Sequence, residues 1–189
     1  MVRVLRFYIG LRIAILTNNH LVSHFYYKIG ACRHGDRCSK KHIRPLHSPT
    51  VLVPNMYRRP ESEGPEAQQR DFDAFYEDVY MEACKFGELQ AMVVCENKND
   101  HLNGNVYLMF TNSRDANSAK DSFNTRWFNE RPLYCEFSHV SDFREAICRK
   151  HDMRSCERGD ECNFMHVQRP TRDLQSDLER AQWKEYHIK

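Results

Sequence analysis

The sequence predicts an α+β chain in which a split βαβ sheet domain lies between two small zinc-binding modules, with a helix at the C-terminal end. Cys148, Cys156, Cys162 and His166 fall in the order C-x7-C-x5-C-x3-H, and the last two intervals recur as Cys32-x5-Cys38-x3-His42. Between these clusters, apolar runs follow one another at strand, helix, strand, strand, helix and strand spacing. Beyond them, Leu174, Leu178 and Ala181 mark one stripe of a helix, capped by Thr171 after Pro170. The resulting division is 1–22, an atypical extension; 23–47, the first module; 48–141, the sheet domain; 142–170, the second module; and 171–189, the final helix.

Residues 1–22 carry Arg3, Arg6 and Arg12 and no acid, and the apolar run at 13–16 is too short to span a bilayer. Arg12 interrupts any secretory signal and no small-residue cleavage site follows, although a transit peptide remains an alternative. In the first module, leaving eight residues before Cys32 lands on Ser23 where the pattern requires a cysteine. Hydroxyl is a poor zinc donor beside thiolate, so His24, His20 or water would complete the shell and the zinc would be held less tightly. One hypothesis for the change is an intron-derived or mispredicted start, since introns end in AG, and AG plus a pyrimidine encodes serine where TG plus that pyrimidine encodes cysteine; a transcript colinear with residues 1–30 would exclude it.

In the sheet domain, residues 51–57 read as a strand and 61–69, with Gly64 and Pro65, as an acidic linker. A helix follows, capped by Asp71, with Phe72, Phe75, Tyr76, Val79, Tyr80 and Ala83 at helical spacing until Gly87 ends it. Residues 91–95 and 106–110 are the next strands, 113–124 a helix with Ala116, Ala119 and Phe123 inward, and 133–137 the last strand. That order is the split βαβ plan of an RNA-recognition-motif fold. Its stacking rings are depleted. Tyr107 stays, but Asn105 and Leu52 stand where rings belong, and stacking is worth about 1–3 kcal/mol per base. The sheet has therefore lost most of its reason to hold RNA.

Three thiolates and one imidazole close a tetrahedron and leave no position for substrate, which points away from catalysis. Modules this small bury too little to fold without such a clamp. An enzymatic reading of Cys32, Cys38, His42 and a water needs a nearby glutamate to carry protons, and 39–49 contains none. The chain has 189 residues, 41% hydrophobic and 29% charged, enough for one ordinary domain with appendages. Of its eight cysteines, Cys84, Cys95 and Cys135 lie outside the metal spacings in apolar contexts, which suits a reducing compartment. The net charge of +2 conceals a polarity: nine bases and one acid in 1–47, nine and fifteen in 48–141, ten of each in 142–189. A basic module suits phosphate, and an acidic middle suits a basic protein partner.

Arg126-Trp127-Phe128 after the second helix, with Glu77, Asp78 and Glu82 on the first, resembles a U2-auxiliary-factor homology motif. The resemblance widens through residues 25–38, 142–146 and 163–166, where the chain is similar to the small subunits of the U2 auxiliary factor, a splicing factor. It implies a non-enzymatic nuclear subunit with two zinc ions. Such a subunit recognises the AG at the 3′ splice site of pre-mRNA and pairs with a large subunit, without a membrane or a small-molecule substrate. In that family the Phe of Arg-x-Phe packs on an incoming indole, and the helix acids attract basic residues beside it; Trp127 would insert reciprocally into the partner. RNA would meet Phe25 and Phe164 by stacking, and Arg33, Arg37, Ser39, Lys40, Arg149, Lys150 and Arg158 by hydrogen bonds and charge. Each phenylalanine has the alternative of plugging its module's small core. A CCCH regulator of message stability is the rival function, but its fingers would sit in tandem. Ser23, and the lack of an arginine-serine tail up to Lys189, depart from the family pattern.

Overall fold

A computed structural model describes residues 21–60 and 64–188. The expectations for 1–20, including His20 as a ligand, lie outside the described residues.

The first module starts with α1 (His24–Ile29), where Ser23 Oγ caps the Tyr26 amide. Gly30 ends it at φ 77°, left-handed backbone that glycine adopts without strain, and its amide returns to Tyr26 O at 2.9 Å. Next come β1 (Thr50–Val53), α2 (Pro65–Cys84), β2 (Leu89–Cys95), β3 (Val106–Phe110) and α3 (Ser113–Phe123). Then follow β4 (Trp127–Phe128), β5 (Arg131–Pro132) and β6 (Glu136–Phe137). The second module holds α4 (Phe143–Ala146), α5 (Arg149–Asp152) and β7 (Val167–Gln168), and α6 (Arg172–His187) closes the described chain.

The main sheet is antiparallel in the order β6-β1-β3-β2-β7. Its outermost strand comes from the second module: Val94 pairs with Gln168 and Cys95 with Val167. α2 begins at Pro65, earlier than the Asp71 cap expected, because proline at the first helical turn gives up no hydrogen bond. The supposed linker residues 65–69 are therefore helical. The last strand keeps only Glu136–Phe137, and the residues before it form a separate hairpin of β4 and β5. Asn129 and Glu130 make its two-residue turn with φ 50° and 62°.

One sheet face packs on α2 and α3 through Val51, Val53, Phe72, Phe75, Val79, Val94, Leu108, Phe110 and Phe123. The other face, the one that carries rings in RNA-binding domains, is sealed. Leu52, Val93, Tyr107 and Met109 form a second core with Ile29 of the first module and Phe143, Ala146 and Met165 of the second. Tyr107 is fully buried and donates its hydroxyl to Ile29 O at 2.7 Å.

α6 lies on α2, away from that face, and contributes Leu178 to the first core. The modules already occupy the platform. Gln182 fixes α6 by pairing its side-chain amide with the backbone of Leu89, to N at 3.0 Å and O at 2.9 Å.

Candidate metal centres and nucleic-acid interface

The donor atoms of Cys148, Cys156, Cys162 and His166 lie within 4.8 Å of one another. Cys148 Sγ stands 3.8 Å from the sulfurs of both Cys156 and Cys162. Thiolates bound to zinc at about 2.3 Å in a tetrahedron are about 3.8 Å apart, so the cage already has the right size. His166 Nε2 is buried without a hydrogen-bond partner, a cost that a metal ion removes. These residues fit zinc.

The sheet domain braces this cage. Asn97, 1% exposed in the β2–β3 connection, donates to Cys162 O at 3.2 Å and Phe164 O at 3.0 Å and accepts from the His166 amide at 2.8 Å. Asn99 donates to Asp160 O at 2.8 Å and to Cys162 O at 3.0 Å. His151, which has no partner spacing in the sequence, stacks on His166 at 3.8 Å and meets Glu96 at 2.7 Å. No one-dimensional pattern announces Glu96, Asn97 and Asn99, because each reaches the module across the fold.

Cys32, Cys38 and His42 form the second cluster, with sulfurs 3.9 Å apart and His42 Nε2 buried and unpartnered. This group also fits zinc. His24, one expected substitute ligand, is exposed and lies outside the cluster. Ser23 is buried and engaged in capping.

Phe25 and Phe164 meet edge to face at 6.1 Å, which joins the two modules into one surface. Both rings are half-buried against the second core, so each plugs its module and shows an edge at once. Beside them opens a cleft of about 650 Å³ lined by Arg149, Lys150, Arg158 and Phe164 together with Lys28 and Arg144. Lys28 lies 5.9 Å above the Phe164 ring. Lys28 and Arg144 belong to the segments that carried the family resemblance, yet only the folded chain brings them to this cleft. Arg33, Arg37, Ser39 and Lys40 do not line it; they are exposed on the loop of the first module.

On the opposite side, a groove of about 280 Å³ is lined by Asp78, Glu82, Arg126, Trp127 and Phe128, with Met56, Val79, Phe123 and Leu133 as its apolar lining. Glu77 is exposed but outside this lining. Phe128 rests edge-on against Phe75 at 5.7 Å, and Trp127 is 70% exposed at the rim. Glu82 is bound by Lys85 and Arg126, whose hydrogen bonds hold its carboxyl below the usual range. Asp78 is therefore the acid of the lining that no internal base neutralises among the bonds described.

The eight cysteines are all unbridged. Burial pushes the Cys135 thiol up to about 12 and the Cys84 thiol up to about 11, which suits inert packing groups.

A βαβ domain with two Cys/His clusters welded over its sheet, a basic aromatic cleft on one side and a small apolar groove on another defines a binding scaffold. The family model of zinc fingers of C-x8-C-x5-C-x3-H type (and similar) matches residues 143–168. The splicing factor U2AF 23 kDa subunit of Schizosaccharomyces pombe is 52% identical over 166 residues, 85% of this chain and 77% of that protein. The splicing factor U2af 38 kDa subunit of Drosophila melanogaster is 47% identical, over 82% of this chain and 64% of its own. The splicing factor U2AF 26 kDa subunit of Bos taurus is 45% identical, over 82% of this chain and 76% of its own. The chain belongs to the U2AF small-subunit family of splicing factors, which is not a family of enzymes.

Proposed function

We propose that this subunit recognises the AG dinucleotide at the 3′ end of introns with its two zinc modules. In the same reading it pairs with a large U2AF subunit through the groove beside Trp127, and it works in the nucleus. The observation that carries the RNA assignment is the sealing of the sheet: with Leu52, Val93 and Tyr107 buried, single-stranded RNA has no ring platform there. What remains for unpaired bases is the Phe25–Phe164 pair beside a cleft with five bases, Lys28, Arg144, Arg149, Lys150 and Arg158. Aromatic edges and faces with flanking guanidinium groups are how single strands are held. The exposed Arg33, Arg37, Ser39 and Lys40 extend that basic surface onto the first module. Two zinc ions, held by the Cys and His residues named above, keep the loops in place.

The groove offers a partner an apolar floor with Asp78 on its rim, a fit for an indole carried on a basic peptide. Trp127, largely in solvent, is an anchor offered in return.

Anisotropy titrations with RNA that contains or lacks AG, and with a tryptophan-containing large-subunit peptide, test both surfaces. Phe164→Ala should weaken RNA by about 5- to 150-fold, the equivalent of one lost stack, and spare the peptide. Trp127→Ala should do the opposite. If both ligands respond to one substitution, or neither responds to either, the two-surface assignment fails.

A further inference from the structure

The two modules share a backbone plan that shows what position 23 does. Ser23 N donates to Lys41 O at 3.0 Å, and Cys148 N donates to Met165 O at 2.9 Å; each acceptor immediately precedes its module's histidine. Ser23 thus stands where Cys148 stands. Cys148 makes no side-chain cap for its helix and its sulfur belongs to the metal cluster, whereas Ser23 Oγ accepts from Tyr26 N at 3.4 Å. Among the described residues the first cluster has three members, Cys32, Cys38 and His42. Three protein donors with zinc spacing leave one coordination position to something outside the set.

The first module is also anchored unevenly. α1 is held by Ile29, fully buried and bonded to the Tyr107 hydroxyl, by the Phe25–Phe164 contact and by Lys28 against Glu145 at 3.8 Å. None of these contacts involves the metal cluster. Residues 32–42, in contrast, contain one 3-10 turn, Gly35–Arg37, with Arg33, Arg37, Ser39 and Lys40 exposed. The C-terminal end of this segment is tied to α1 by the stack of His42 on Tyr26 at 4.3 Å and by the backbone bonds of Lys41 to Leu21 and Ser23, so it is the order of the exposed turn before it that depends on Cys32 and Cys38 being held to His42.

We propose that the first site is a labile zinc centre, completed by a donor from outside the Cys32–Cys38–His42 set, whose occupancy orders the exposed turn of residues 32–40 while α1 stays docked. The second site, with three thiolates and an imidazole, keeps its metal throughout. Loss of an outer contact to a ligand already lowers affinity by about 10- to 100-fold, and the missing thiolate is an inner one. Zinc availability would then switch one loop without unfolding the protein. The metal chemistry stands apart from the RNA reading; only its consequence, that Arg33, Arg37 and Lys40 are presented to RNA when zinc is bound, rests on it.

Cobalt loaded on the full chain reports the test through its visible bands, with a chelator titrated in and hydrogen exchange followed for peptides over 24–30 and 32–40. Wild type should release its two ions in two phases, separated by at least about tenfold in chelator concentration. Exchange should rise in 32–40 during the first phase and stay unchanged in 24–30. Ser23→Cys should merge the phases. Ser23→Gly, which keeps the helix start because glycine is a tolerable cap, should leave the bands as they are. A single phase in wild type, one ion per chain, bands moved by Ser23→Gly, or loosening of 24–30 together with the loop would each overturn the proposal.

Discussion

Replacing Tyr107 with phenylalanine removes one oxygen and separates two accounts of the sheet. Ile29 ends α1, and its carbonyl is among those a helix terminus leaves without an internal partner. Tyr107 Oη satisfies it at 2.7 Å, in a place where both residues are fully buried. A buried acceptor left unmet costs about 1–3 kcal/mol. In a protein of about 150–250 residues each kcal/mol moves the melting midpoint by about 2–4 °C, so Tyr107→Phe should lower it by about 2–12 °C. Circular dichroism of the zinc-loaded protein gives the midpoint, and hydrogen exchange over 24–30 should show the loosening concentrated at α1. A ring used for stacking on bases would lose nothing when its hydroxyl goes. An unchanged midpoint, combined with RNA affinity lost in Tyr107→Ala and kept in Tyr107→Phe, would refute the sealed sheet.

Gly30→Ala should destabilise by about 1–3 kcal/mol from backbone strain alone, because an alanine at φ 77° is left-handed. Its Cβ would also come within 2.5 Å of Ser138 Oγ and 3.2 Å of the Tyr107 ring, and denaturant titration gives the loss. Asn97→Ala strips contacts from Cys162 O, Phe164 O and His166 N, so zinc at the second site should weaken by about 10- to 100-fold in chelator competition, with the first site unaffected. Thiol alkylation should track metal release. A thiol pushed up to about 11 or 12 carries less thiolate at any given pH, so Cys84 and Cys135 should react only as pH rises well above neutrality. A chelator at neutral pH should instead expose Cys32, Cys38, Cys148, Cys156 and Cys162, which mass spectrometry of labelled peptides resolves.

The two Cys/His clusters were legible in the sequence because zinc sites have fixed donor spacings on a short loop, and the side chains at those spacings come together. α3 was legible for a similar reason: Ala116, Ala119 and Phe123 repeat at one helical face and all three are buried. The start of α2 was obscured because Gly64 and Pro65 are turn residues by composition and helix-entry residues by position. The β4–β5 turn has no glycine, so Asn129 and Glu130 gave no hairpin signal. β7, and the hold of Asn97 and Asn99 on the second module, depend on segments 61 residues or more apart and have no local signature.

The departures of the sheet from an RNA-binding surface are better understood as gains than as losses. Leu52 replaces a ring and packs in the core shared with the modules. Asn105 replaces another, accepts from the Asn55 amide at 3.0 Å and donates to His101 O at 2.9 Å, which ties the end of β1 to the turn before β3. The remaining ring, Tyr107, spends its hydroxyl on α1. Two exposed rings in those places would stack on bases but could not be covered without wasting their faces, whereas a leucine, an asparagine and a capping tyrosine are suited to burial. Leu52 and Tyr107 therefore supply part of the seat on which both modules are held, while Asn105 braces the sheet beside it. Burial of that seat leaves Phe25, Phe164 and the bases around them as the aromatic and basic surface on which the proposed RNA contact rests.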